Sequence, residues 1–377
     1  MGLKRRQFLL GSTTLGLLLA TAHSSSQASS SDLYGQVLHR THPAPSGLFA
    51  PPRGDVRLLV FSDINSQYGS TDYRSEVTTG IRLASQWQPD LVLCAGDMVA
   101  GQSLALSSGQ IQAMWQGFDR QIFSPLQNQG LPFAFTLGNH DASSLQSAGE
   151  YVFAADRQQA AAYWTARRPA LGLEIVDGAG FPFYYSFLHR NIFYLVWDAS
   201  SATVSAAQQS WADRALASPA AQTAALRVVL GHLPLYAVSQ GRDRAGEILA
   251  NAPALQALME RHRVQIYICG HHHAYYPARS GQLEFLHCGA LGSGPRTWLG
   301  RTDAAIQTLT LLDLFFEPNQ PPRTVYTTYN MGTLAPVELS SLPRQIVGPN
   351  GRLIRLDLSW NDLTEAEKRQ IYAPSLR

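Results

Sequence analysis

Five short segments of this chain end an apolar run with side chains that can bind a metal ion or move a proton. They carry Asp63 with Asn65, then Asp97, Asn139-His140-Asp141, His232, and His271-His272-His273. Taken alone, each reads as a turn, because Asp, Asn and Gly at strand ends commonly satisfy local backbone groups. The spacings are 34 and 42 residues from Asp63 through Asp97 to Asn139, then 92 and 39 from His140 through His232 to His271. Each gap has room for a supersecondary unit, so five such ends can converge on one rim of an α/β fold. Carboxylate, amide oxygen and imidazole together suit Mn, Fe or Zn. A Ca or Mg site would use fewer histidines, and a structural zinc site more thiolates. Aspartates among several imidazoles can also bridge two cations. Two cations about 3.5–4 Å apart activate a hydroxide and clamp an oxyanion during in-line displacement.

In order, the segments read Asp63-Ile64-Asn65, Gly96-Asp97, Gly138-Asn139-His140-Asp141, Gly231-His232 and Gly270-His271-His272-His273. This ordered set resembles the calcineurin-like metallophosphoesterases, including their purple-acid-phosphatase relatives, from about residue 56 to 292. The resemblance implies an α/β fold, a two-sheet β-sandwich flanked by helices, with two divalent or mixed-valence metal ions at the sheet ends. By position, Asp63 and His273 would hold the first ion and Asp97 would bridge both. Asn139, His232 and His271 would complete the second. His140 would contact substrate and assist the leaving oxygen, with Asp141 orienting its ring as outer carboxylates do. The implied activity is hydrolysis of phosphoester bonds in a small phosphorylated substrate. The rival reading is an exported metal- or ligand-binding protein of the same fold with weak or lost catalysis.

Asn65 departs from that pattern, which commonly has histidine there as a further ligand to the first ion. The tyrosine that purple acid phosphatases place after the bridging aspartate is also missing, since Met98, Val99 and Ala100 follow Asp97. Asn65 is then either an oxygen ligand or a loop residue, with Tyr68 as a nearby alternative. In the histidine triplet, side-chain direction alternates along an extended turn. His271 and His273 are therefore expected to face the site and His272 to face away. Arg296 is a candidate for a phosphate oxygen; Arg242 and Arg244 are either lid residues or solvent-facing.

Strands and helices must deliver these groups. Apolar runs predict strands at 56–61, 90–95 and 131–137, with helices at about 76–88 and 111–126 between them, the order expected of βαβ units. Residues 181–200 read as a hairpin turning at His189-Arg190-Asn191. A helix over 206–216 has Ser205 as its cap. A strand delivers His232, a helix over about 247–262 follows, and VQIYICG leads into the histidines. Three further strand-like runs beyond residue 305 are expected at an edge or completing the second sheet.

Composition narrows the partners. The 377 residues carry 45% hydrophobic and 15% charged side chains, as a sizeable core requires. Formal charge is +2, but Lys4, Arg5 and Arg6 precede any acid; without residues 1–22 there are 26 basic against 27 acidic groups. That balance offers no electrostatic case for nucleic acid. Residues 1–22 combine Arg5-Arg6, an uncharged stretch from Gln7 to Thr21 and a small-x-small site at Ala20–Ala22. They resemble a twin-arginine signal, which implies the twin-arginine export machinery as a partner and a periplasmic or extracellular location. An uncleaved anchor is the alternative. Residues 23–50 are expected to form a flexible or surface arm, and 51–377 one domain with no transmembrane segment. Cys94, Cys269 and Cys288 are expected in the core.

Overall fold

A computed structural model describes residues 41–373. The expected export signal lies outside them, as does most of the arm. β1 (Val56–Phe61), β2 (Leu91–Cys94) and β3 (Phe133–Phe135) lie side by side in parallel. A small hairpin follows, β4 (Gln146–Ser147) with β5 (Glu150–Tyr151). The second sheet gathers β6 (Glu174–Gly180), β7 (Tyr184–His189), β8 (Ile192–Val196), β9 (Leu226–Leu230), β10 (Ile266–Cys269), β11 (Tyr276–Ser280) and β12 (Leu283–His287). β13 (Thr308–Phe315), β14 (Arg323–Asn330) and β15 (Ala335–Pro336) return to the first sheet, while β16 (Gln345–Gly348) and β17 (Gly351–Arg355) join the second. The fold is thus α/β, with two mixed sheets of six and nine strands flanked by helices.

β1 shows why the apolar runs are continuous. Val56, Leu58 and Val60 enter the core shared with the second sheet. Leu59 and Phe61 enter a second core beneath the helices Ser75–Leu83, Ser108–Phe118 and Ala154–Arg167. A strand buried on both faces needs apolar residues at every position. Arg57 is the exception, and it is fully buried. Its guanidinium pairs with Asp313 on the neighbouring β13 at 2.8 and 3.0 Å and donates to the Pro43, Pro51 and Trp87 carbonyls. Residues 41–50 lie at the surface, as one of the two expectations had it, and are tied to the domain. Pro43 accepts from Arg57 and Phe49 accepts from the Tyr329 hydroxyl at 2.7 Å.

The C-terminal strands divide between the sheets instead of completing one. β13 lies inside the first sheet, between β14 and β1. The expected helix over 247–262 begins only at Ala252, with Pro253 in its first turn, which leaves Glu247 in a loop. The 184–196 hairpin turns at Arg190 and Asn191, both at positive φ, and Ser205 accepts from the Gln208 N–H to cap its helix. All three cysteines are free and buried. Among the described residues, no helix is long and apolar enough to cross a membrane.

Candidate metal centre

The polar strand ends meet at one rim. Asp63, Asp97 and Asn139 follow β1, β2 and β3 of the first sheet, and His232, His271 and His273 follow β9 and β10 of the second. The turns that aim them are tight. Asp63, Asp97, His271 and His273 all have left-handed backbone, with φ between 51 and 65°. Such conformations cost on the order of 1–3 kcal/mol each and gather where a site over-determines them. Gly96 and Gly138 permit the crowding: a Cβ on Gly96 would press on the His232 ring, and one on Gly138 would overlap the Asp97 carboxylate.

The inward contacts sort into two groups. His273 Nε2 lies 3.1 Å from Asp63 Oδ1. Asn139 Oδ1 lies 3.0 Å from His232 Nε2 and 2.8 Å from His271 Nδ1. Asp97 stands between them, 3.3 Å from His232 Nε2 and accepting the His140 backbone N–H at 2.9 Å. One ligand atom each from Asp63, Asp97 and His232 fall within 4.8 Å of one another, a cluster able to coordinate one metal ion.

Each imidazole is held by its other nitrogen. His232 Nδ1–H donates to the Ala95 carbonyl at 2.7 Å, and His273 Nδ1–H to the Gly294 carbonyl at 2.7 Å. His271 Nε2–H donates to Glu247 at 2.9 Å. Carbonyl and carboxylate oxygens only accept, so each outer contact takes an N–H, and a ring carrying a single proton then turns its lone pair to the cluster. Asn139 is turned the same way: its Nδ2–H donates to Gln102 at 2.7 Å, which leaves Oδ1 for the imidazoles. Acceptors facing acceptors at 3 Å repel unless a positive charge lies among them.

The electrostatics favour positive charge here, which the His232 ring carries itself when no ion is bound. Burial disfavours a charged His232, yet Asp97 and Asp63 outweigh it and push its pKa up to about 9. Burial also opposes the Asp97 and Asp63 charges. His232 and His140 nevertheless hold Asp97 below the usual carboxylate range, and His273 and His232 do the same for Asp63. Burial lowers the His271 pKa to about 4, so that ring is neutral. The donor set thus fits cations of the kind that bind carboxylate, amide oxygen and neutral imidazole.

Other expectations fare differently. Asp141 does not orient His140. Its carboxylate accepts backbone N–H bonds from Met98, Val99 and Gly138 at 2.7, 2.9 and 2.8 Å, tying the Asp97 turn to the Asn139 turn. Burial and the neighbouring Asp97 charge push its pKa up to about 7. His140 Nδ1–H instead donates to the Gly101 carbonyl at 3.0 Å. Asn65 is buried at the cluster's edge, bonded through its backbone to Asp97 and Ser293. Tyr68 is exposed, its ring 5.2 Å from that of His140, at a groove of about 530 Å³ that also takes in Ser66, Tyr73 and Ser293. His272 faces away, bonded to the Val238 N–H and the Glu247 carbonyl. The Arg296 backbone N–H donates to the His273 carbonyl at 3.0 Å. Sequence reasoning passed over Gln102 and Glu247. Glu247 had one legible signal: its place beside Arg242 and Arg244, ahead of the proline that marks the true helix start.

A family model described as calcineurin-like phosphoesterase matches residues 56–275. The chain belongs to the calcineurin-like phosphoesterases. No curated protein matches its sequence. Two solved structures share the calcineurin-like fold at low identity. One is a purple acid phosphatase from yellow lupin (Lupinus luteus) seeds, with TM-score 0.53, 16% identity, and coverage of 79% of this chain and 54% of that one. The other is a dimetal phosphatase from Danio rerio, with TM-score 0.51, 13% identity, and coverage of 74% and 97%. The chain thus spans about half the length of the lupin protein.

Proposed function

We propose that this chain is a metal-dependent phosphoester hydrolase with a two-ion centre. Asp63 and His273 would hold one ion, Asn139, His232 and His271 the other, and Asp97 would bridge. Mn, Fe and Zn fit the donor set, and with Met98, Val99 and Ala100 after Asp97 the tyrosinate chemistry of purple acid phosphatases is not carried over. The observation that carries this reading is the shared orientation of three imidazoles and one amide, each held from outside with its acceptor atom turned inward. Bound there, the ions would supply Lewis acidity and lower the pKa of water. The chain's own residues would do the rest. His140, its Nδ1–H committed to Gly101, has Nε2 left to hydrogen-bond a phosphoryl oxygen or exchange a proton with the leaving oxygen. The groove beside Tyr68 would seat the remainder of a small substrate. Export by the twin-arginine route, with residues 1–22 removed, belongs to the same proposal.

The test is metal stoichiometry after reconstitution, together with turnover of p-nitrophenyl phosphate and bis(p-nitrophenyl) phosphate. About two ions per chain and hydrolysis abolished by Asp97→Ala are expected. Fewer than about one ion with no turnover would sink the proposal. Asn65 favours a second reading, a binding protein with weak or lost turnover. Two bound ions with no hydrolysis, and turnover appearing in Asn65→His, would select it.

A further inference from the structure

The loop between His232 and the helix at Ala252 carries two acids that the proposed centre does not use, Asp243 and Glu247, and Glu247 reaches one of its histidines. Glu247 points its carboxylate at the outer edge of His271, 2.9 Å from Nε2. The same carboxylate accepts from Arg242 Nη1 at 2.5 Å and from Arg244 Nη2 at 3.1 Å. Three donors fix its position and direction. The backbone of Glu247 is fixed as well: its carbonyl accepts from His272 Nε2–H at 3.0 Å, and its N–H donates to the Arg244 carbonyl. His272 is anchored in turn by the Val238 N–H at 3.1 Å. The middle histidine thus locks the segment whose carboxylate grips its neighbour.

We propose that Glu247 is a positioning residue for His271, keeping its proton on Nε2 and turning Nδ1 toward the ion shared with Asn139 and His232. This rests on the two-ion reading above. A neutral imidazole has one proton; the Glu247 carboxylate 2.9 Å from Nε2 and the Asn139 amide oxygen 2.8 Å from Nδ1 both accept, and the charged carboxylate is the stronger acceptor. Arg242 Nη1 also lies 3.2 Å from Nε2, and could donate to a bare nitrogen there. With Glu247 present, Arg242 is bound to the carboxylate at the shorter distance. Removing the carboxylate therefore does more than delete a bond. It leaves a guanidinium beside Nε2, which favours the opposite tautomer, with Nδ1 protonated and unable to ligate. His273 has no such dependence, since a backbone carbonyl holds its Nδ1–H. The effect should be confined to one of the two ions.

Two measurements test this on the full chain. The first is Zn²⁺ affinity by chelator competition, step by step, for the wild type, Glu247→Ala, Glu247→Gln and Asp63→Ala. Loss of an outer partner of a metal-bound histidine weakens binding about 10–100-fold. Glu247→Ala should weaken one step by that factor and leave the other unchanged. Glu247→Gln, whose amide oxygen still accepts Nε2–H, should recover most of the loss, and Asp63→Ala should weaken the other step. The second is ¹⁵N NMR of the metal-free protein, where His271 should be the Nε2–H tautomer in the wild type and shift toward Nδ1–H in Glu247→Ala. Unchanged Zn²⁺ steps in Glu247→Ala, equal weakening of both, or an Nδ1–H tautomer in the wild type would overturn the inference. A wild type that binds no ion would fail the two-ion reading itself. The tautomer needs no ion, so its shift in Glu247→Ala would uphold the positioning role even then.

Discussion

At the scale of single residues, what distinguishes this site is the control of which atom faces inward. Imidazole offers two nitrogens and a primary amide offers either end, so residue identity alone leaves the ligand atom open. Gly294, Ala95, Glu247 and Gln102 close the choice for His273, His232, His271 and Asn139. The inner residues were legible because Asp, Asn and His at strand ends are chemically conspicuous. Their outer partners were not, because two are backbone carbonyls, which no sequence pattern marks. Asp141 is the instructive failure: adjacency to His140 implied a partnership, yet three backbone N–H groups claim its carboxylate. Its role is therefore structural. Asp141→Ala leaves three buried donors unpaired, at roughly 1–3 kcal/mol each before relaxation. The expected result is a loss of at least about 2 kcal/mol in denaturant unfolding. His140→Ala should instead leave stability nearly intact and slow turnover most for substrates with poor leaving groups. If Asp141→Ala unfolded like the wild type and acquired that leaving-group dependence, the orienting role would be restored.

The element scale explains which parts of the fold could be read and which could not. β1, β2, β3, β9 and β10 are local apolar runs bounded by turn residues, so their positions follow from pattern. Pairing partners do not follow from pattern when they are far apart in sequence. β13 joins β1 across some 256 residues, and its apolar alternation fits an edge or a centre equally well. Its ladders to β1 on one side and β14 on the other make β13 central, and the buried pair of Arg57 with Asp313 ties it to β1. Arg57 also ties in the 41–50 segment through Pro43 and the short 3-10 helix Ala84–Trp87 through Trp87. Removing one partner of a fully buried, multiply bonded pair costs about 3–5 kcal/mol, because the other charge stays buried. Asp313→Ala should lower the stability of the whole domain by that amount. Replacing both residues with apolar ones, Arg57→Met with Asp313→Leu, should recover much of it. A loss under about 1 kcal/mol for the single variant, read from chemical denaturation, would show that water reaches the pair.

For the whole molecule, the arrangement of the sheets gives the centre a second consequence. Every candidate ligand of the first sheet faces a candidate ligand of the second: Asp63 with His273, Asp97 with His232, Asn139 with His232 and His271. No loop of one sheet completes the set, so ions held there would clamp the two layers together at one end. Away from that rim the layers meet mainly through apolar packing, with Leu58, Leu93 and Ala134 in the shared core, supplemented by the Tyr185 hydroxyl bonded to the Phe135 backbone and by Thr324 and Tyr326 donating to Glu284. Ions that bind only the folded arrangement stabilise it by mass action, about 2.7 kcal/mol at a hundredfold excess over Kd. Zn²⁺ or Mn²⁺ added to chelator-treated protein should therefore raise the denaturant midpoint by that order, with an unchanged slope, because the surface exposed on unfolding is the same. His232→Ala should remove the share of the ion it would hold, since its ring contacts both Asp97 and Asn139 from across the interface. The increment depends on Kd and free ion alone, but an ion spanning the layers also opposes partial opening, because separating the layers would already release it. Partial unfolding can report this: hydrogen exchange at β9 and β10 should slow together with that at β1 and β2 on ion addition. Protection confined to one sheet would mean that the ligands do not act as a clamp between the two.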